Sequence, residues 1–369
     1  MDNLRVIISG GGTGGHIFPA ISIANEIKEL RPDTEFLFVG AEGKMEMEKV
    51  PAAGYKIVGL PVAGLQRNLS LSNLMLPYKV LKSLRKAKSI ITEFAPHLVI
   101  GVGGYASAPL LWMATKMGIP SLIQEQNSYA GLTNKILGKR VQKICVAYNN
   151  MDKFFPAEKI IVTGNPIRKE IKNIENVDKN LAIEKFGLDP AKKTVLIVGG
   201  SLGCNTLNEV MKKWVLENRS DADYQIIWQS GQFSKESIAK FMEENNCPNV
   251  INLPFIYDMN LALRVADIVV SRAGASTISE LCVAGKATIF VPSPNVTEDH
   301  QTHNAQALVN KNAALLTPDN QAKEQLIDSI ENLLSNPQKL DSLERNIKLL
   351  AKPDAGINIA NEALKLVKQ

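Results

Sequence analysis

The residues best suited to chemistry fall in two short stretches. The first, SGGGTGGH at residues 9–16, places Gly10, Gly12 and Gly15 at GxGxxG spacing and ends on His16. Such a turn lets backbone N–H groups approach a phosphate, and an imidazole beside it is a candidate base because it titrates close to neutral pH. The pattern alone also describes a plain tight turn. The second, SRAGASTISE at residues 271–280, follows the apolar run IVV. A helix starting near Ala275 would offer unpaired N–H groups and a positive dipole end to a diphosphate, with Ser276 and Thr277 adding hydroxyls and Glu280 accepting hydrogen bonds from a ribose. The plainer alternative is a capped helix with a solvent-facing glutamate.

Other chemistries are disfavoured. A dinucleotide site wants an acid at the end of the second strand, where FLFV at residues 36–39 runs into Gly40 and Ala41. No GxxxxGK[ST] occurs. His300 and His303 have HxxH spacing without a third metal ligand, His97 reads as a polar residue before a strand, and the DxD of residues 221–223 precedes a strand, at the end remote from a ligand crevice. Cys145, Cys204, Cys247 and Cys282 form no CxxC pair and point to a reducing compartment.

The elements that must hold these residues repeat. Strand, glycine loop and helix open the chain (residues 5–8, 9–16, then Ile17, Ala20, Ile21, Ala24 and Ile27) and return at residues 194–198, 199–203 and Leu207, Val210, Met211 and Trp214. Further apolar strands are expected at 35–39, 98–102, 121–124, 224–229, 268–271 and 287–291, alternating with helices. That is an α/β chain with two Rossmann-like domains facing across a cleft, at 1–165 and 166–350. The boundary is placed near Gly164, Asn165 and Pro166 because residues 168–190 are polar and strandless. Residues 351–369 are expected to form an amphipathic helix capped by Asp354 that packs back on the N-terminal domain. At 369 residues, two cores are the natural expectation, and 45% hydrophobic with 21% charged residues fits a folded enzyme. Neither a signal peptide nor a transmembrane helix is read; glycines and Pro109 break the charge-free run 98–115. The net charge of +5 matters less than its clustering: Lys79, Lys82, Arg85, Lys86 and Lys88 follow Leu65, Leu69, Leu71, Leu74, Met75 and Leu76. Such a stretch suits an anionic membrane surface. The plainer alternative is a helix with Val80, Leu84, Ala87 and Ile91 inward and solvated lysines.

With these motifs go GGY at 103–105, EQN at 125–127 with AGLTN at 130–134, TGNPIR at 163–168, GGS at 199–201, FIYDM at 255–259, RAGA at 272–275, and Gln301 with Asn304 and Ala305. In order and spacing they resemble the MurG family across residues 6–305. The resemblance implies the two-domain GT-B fold and an inverting hexosyltransferase that moves N-acetylglucosamine from UDP-N-acetylglucosamine to the C4 hydroxyl of the muramic acid of lipid I, an undecaprenyl-diphosphate-linked muramyl peptide. The product is lipid II for peptidoglycan synthesis. The rival reading is another GT-B enzyme, such as a UDP-N-acetylglucosamine epimerase or a transferase with a different acceptor. By the same resemblance, Thr13, Gly14 and Gly15 line the site near donor sugar and acceptor diphosphate, Asn127 touches the sugar, and Arg168 and Ser201 approach UDP. The main chain at Ile256 reads the uracil, Glu280 holds the ribose and Gln301 binds sugar hydroxyls. Tyr105, Glu125, Ala275, His300 and Asn304 join the substrate-binding set. His300 stands where the family has a second glutamine, and Gln124 where it often has histidine. His16 is then the candidate base, or else a hydrogen-bond partner of backbone or acceptor phosphate. No cofactor is required and no metal is indicated, although a divalent cation is compatible. Expected partners are the two substrates, the membrane surface on the cytoplasmic side of the inner membrane, where the chain would be peripheral, and other cell-wall synthesis proteins; no nucleic acid is expected.

Overall fold

The computed structural model describes residues 3–12, 14–62, 76–200, 202–217 and 222–367. Thr13, Leu65, Leu69, Leu71, Leu74, Met75, Ser201 and Asp221 lie outside the described residues. The chain divides into two compact units, residues 1–167 with 352–369, and residues 168–351.

The first unit is built on a seven-stranded sheet in the order β3-β2-β1-β4-β5-β6-β7, with all pairs parallel. Its strands are β1 (Arg5–Ser9), β2 (Glu35–Ala41), β3 (Ile57–Leu60), β4 (Leu98–Gly101), β5 (Ser121–Glu125), β6 (Lys143–Val146) and β7 (Ile160–Val162). Parallel strands covered on both faces read as unbroken apolar runs, which is why VII and LVI are continuous rather than alternating. Val6 and Ile8 face one layer, formed by α1 (Gly14–Leu30) and the C-terminal α15 (Ala355–Leu364). Ile7 faces the other, formed by α3 (Leu76–Phe94) and α4 (Ser107–Lys116). Ile359, Ala360 and Ala363 of α15 share a core with Ile17, Ala20, Ala24 and Ile27 of α1. Asp354 occupies the N-cap position of α15, but its side chain makes no capping hydrogen bond.

The second unit repeats the plan in six strands, β10-β9-β8-β11-β12-β13. They are β8 (Lys193–Val198), β9 (Tyr224–Gln229), β10 (Val250–Leu253), β11 (Ile268–Ser271), β12 (Ala287–Phe290) and β13 (Leu315–Leu316). Fully buried Trp214 and Trp228 anchor the core beneath α8 (Asn205–Leu216), each indole N–H donating, to Tyr224 Oη at 2.9 Å and to Asn208 Oδ1 at 3.1 Å. Residues 168–192 hold α6 (Lys169–Lys172) and α7 (Lys179–Phe186) and no strand.

Strand order reverses beside the first strand of each unit, between β1 and β4 and between β8 and β11. At such switch points the loops after neighbouring strands part and open a crevice. Both chemical stretches found in the sequence lie there.

Candidate functional site

In the first unit, the turn after β1 meets the turn after β4 backbone to backbone. A Cβ on Gly104 (φ +84°) would come within 2.3 Å of the Gly11 carbonyl oxygen, so only glycine allows the two turns to touch. His16 lies in the first turn of α1, its ring against Gly103: a Cβ there would be 2.9 Å from Nε2. Gly14 and Gly15 open the same helix turn, whose N–H groups have no intrahelical acceptor. Tyr105 is 52% exposed beyond the second turn, and Phe18 is exposed on α1.

Glu125 ends β5 almost fully buried. Its carboxylate accepts from Asn127 N at 3.0 Å, Asn127 Nδ2 at 3.2 Å, Gly131 N at 3.1 Å and Asn134 Nδ2 at 2.9 Å. Burial pushes its pKa up, against the pull of these donors. Glu125, expected from sequence to bind substrate, spends its acceptors on its own loop, where it holds Asn127 in place. Glu125→Gln turns an NH2 toward two buried donors, Gly131 N–H and Asn134 Nδ2. We expect a loss of about 1–3 kcal/mol of unfolding free energy in urea titration; wild-type stability would contradict this role.

Gln124 is fully buried, donating to Asn165 Oδ1 at 2.8 Å, while Asn165 Nδ2 donates to the Gln126 carbonyl at 3.1 Å. Gln124 therefore ties the end of β5 to the turn after β7 and offers no group to solvent.

In the second unit, α11 runs from Ala275 to Ala284 with Gly274 extended at its N-cap, so the helix start proposed from sequence is present. The Ser276 hydroxyl oxygen is buried there without a hydrogen-bond partner among the described residues, a donor and acceptor left open at a positive helix end. Glu280 is one turn further on and does not face solvent alone. Arg168 grips it with two bonds of 2.7 Å, Nε to Oε1 and Nη2 to Oε2. That hydrogen bonding raises the Arg168 pKa above its usual value. With the Arg168 side chain 48% exposed, the pair contributes about 1 kcal/mol or less to stability, and its effect is mainly to orient the carboxylate. Arg168, which the resemblance sets near UDP, has its guanidinium on Glu280, the expected ribose contact.

Three further candidates lie in the same unit. The Ile256 N–H donates to Gln229 Oε1 at 2.9 Å, so of the main chain expected to read the uracil the N–H is engaged within the protein. Asn304, in α12 (His300–Val309), is fully buried. Gln301 Oε1 accepts from Ala273 N at 3.2 Å and Ser293 N at 2.9 Å, which leaves its NH2 as the end that can meet a sugar hydroxyl. His300 opens α12, half-buried, while His303 is exposed, and no group of His, Cys, Asp and Glu able to hold a metal occurs among the described residues. Asp223 directly precedes β9, at the end away from Gln229.

Sequence reading missed two residues. Gln229, buried at the end of β9, donates to the Gly200 carbonyl at 3.0 Å while accepting from Ile256, tying the glycine loop to the loop after β10 that carries FIYDM. Glu46, fully buried at the start of α2 (Glu46–Ala52), lies beneath the first glycine turn. The one local signal was Gly40 inside β2, since a glycine within a strand marks a close approach, here of the Glu46 side chain.

The model of the glycosyltransferase family 28 N-terminal domain matches residues 6–146, and that of the family 28 C-terminal domain matches residues 194–358. The chain is 53% identical over 369 residues to the UDP-N-acetylglucosamine-N-acetylmuramyl-(pentapeptide) pyrophosphoryl-undecaprenol N-acetylglucosamine transferase of Bacteroides fragilis, covering 100% of this chain and 97% of that protein. It is 50% identical over 371 residues to the transferase of the same name from Flavobacterium psychrophilum, covering 100% and 99%. Among solved structures, Acinetobacter baumannii MurG superposes with a TM-score of 0.79 at 29% identity, over 98% of this chain and 99% of that one. A UDP-GlcNAc 2-epimerase from Neisseria meningitidis bound to UDP-GlcNAc reaches 0.67 at 14% identity, over 98% and 100%, a likeness of fold alone. The architecture is the GT-B α/β fold. By its two domain matches and its identity to these transferases over its full length, the chain belongs to glycosyltransferase family 28 and, within it, to the MurG family.

Proposed function

We propose that this protein transfers N-acetylglucosamine, with inversion, from UDP-N-acetylglucosamine to the C4 hydroxyl of the muramic acid of lipid I, giving lipid II. The observation that carries the reading is identity of 50% or more along the whole chain to transferases of that name, both halves included. The epimerase reading shares only the fold.

The geometry supports a division of labour. In the second unit, the start of α11 receives the UDP diphosphate, with Ser276 and Thr277 as hydroxyl donors and Glu280, steadied by Arg168, on the ribose. These groups stabilise the charge that develops as UDP leaves, so the transfer needs no metal. In the first unit, the paired glycine turns bind the acceptor, and His16 takes the proton from the attacking hydroxyl. Labelled donor offered to lipid I, to a soluble sugar and to water tests this: label should enter the lipid only, and a new sugar epimer formed without lipid would contradict it.

We further place the protein peripherally on the cytoplasmic leaflet of the inner membrane, with other cell-wall synthesis proteins as partners. No helix among the described residues is long and apolar enough to cross a membrane. On α3, Tyr78, Val80 and Leu81 are exposed beside Lys79, Lys82 and Arg85, while Ser83, Ala87, Ile90 and Ile91 turn inward. Val80, expected on the inward stripe, is exposed, and among the described residues the buried stripe of α3 begins at Ser83. Lys86 is paired with Glu42 at 2.7 Å and is a poor lipid contact. Reversing Lys79, Lys82 and Arg85 to glutamate is expected to weaken binding to anionic vesicles by about 100-fold, from roughly 1 kcal/mol per basic residue. Unaltered sedimentation with vesicles would reduce this edge to a solvated face.

A further inference from the structure

We propose that Glu46 is a positioning residue for the transfer, fixing the glycine turn that leads into His16; this rests on the function proposed above. Its carboxylate accepts from Ala41 N at 2.9 Å through Oε1 and from Gly12 N at 3.2 and 3.0 Å through Oε1 and Oε2. It thereby joins the end of β2 to the turn after β1. Gly11 and Gly40 lie directly against the side chain, since a Cβ on either would fall 2.0 Å from Oε1 or 2.5 Å from Cγ.

Two observations give this contact more than a packing role. Glu46 is fully buried, and its ion-pair and hydrogen-bond partners among the described residues are backbone N–H groups alone, with no lysine or arginine. Burying a carboxylate without a countercharge is expensive, and a neutral residue would close the same space at less cost. Gly12, at φ +88°, has open space among the described residues where a Cβ would stand, and its N–H is tied to the Glu46 carboxylate. Residue 13 and the start of α1 at Gly14 follow at once, with His16 in that first turn. A displaced Gly12 N–H therefore moves the groups that meet the acceptor, and leaves the second unit's donor site as it was.

Glu46→Gln removes the shorter of the two bonds to Gly12. Its retained oxygen still accepts from Ala41 N and, at 3.2 Å, from Gly12 N, while an NH2 replaces Oε2, the acceptor at 3.0 Å, and repels the Gly12 N–H. We expect kcat/KM for lipid I to fall by about 10- to 100-fold, with KM for UDP-N-acetylglucosamine unchanged and Tm within about 4 °C of wild type. Gly11→Ala, which drives a methyl into Oε1 from the other side, is expected to give the same acceptor-selective loss. If wild-type protein transfers no sugar to lipid I, the functional reading fails, independently of Glu46. If wild type is active, an unchanged acceptor kcat/KM in both variants overturns the proposal. A loss shared equally between donor and acceptor parameters, in step with Tm, also overturns it by making Glu46 a purely structural residue.

Discussion

Glu280→Ala is expected to weaken UDP binding about 100-fold in calorimetric titration, because the two ribose hydroxyls lose a charged acceptor and each such hydrogen bond contributes about 1.5–3 kcal/mol. The rate at saturating donor should change far less, since the ribose is held alike in the ground and transition states. The structure adds a second limb to this expectation. Arg168 holds both carboxylate oxygens at 2.7 Å, so the carboxylate is oriented before the nucleotide arrives. Arg168→Ala should therefore also weaken UDP binding, by less than loss of Glu280 itself, and Glu280→Gln should fall between wild type and alanine. Wild-type affinity in Glu280→Ala would remove the ribose role altogether.

His16→Ala carries the second large effect. Loss of a general base lowers turnover by about 100- to 10,000-fold, and UDP affinity should not move, because His16 belongs to the first unit and the nucleotide groups to the second. Steady-state kinetics at saturating donor and acceptor, with calorimetric titration of UDP, check both points. Retained kcat with a raised acceptor KM would assign His16 to phosphate or backbone contact instead.

What could be read from the sequence was what is local. The glycine turns, the helix start at Ala275 and the first strands of each unit are written in consecutive residues, because a tight turn and a buried parallel strand each constrain a short window. Edge strands such as β7 (IIV) and β13 (LL) are too short to stand out from loops. Pairings across the chain escaped for another reason. Arg168 and Glu280 are separated by 112 positions and Gly12 and Glu46 by 34, and nothing in the composition around either glutamate says which backbone or side chain it will meet. Resemblance identified Glu125 and Ile256 as important positions, but it could not say that the Glu125 carboxylate is consumed by its own loop or that Gln229 holds the Ile256 N–H. Burial decides between touching a ligand and positioning the residue that does, and burial is a property of the folded chain.

A crystal structure of the protein soaked with UDP tests the central claim most directly. The account places the diphosphate on the amide groups at Ala275, Ser276 and Thr277, the ribose on Glu280 and the uracil beside Ile256. Nucleotide bound instead on the turn formed by residues 10–15, with the start of α11 vacant, would contradict it.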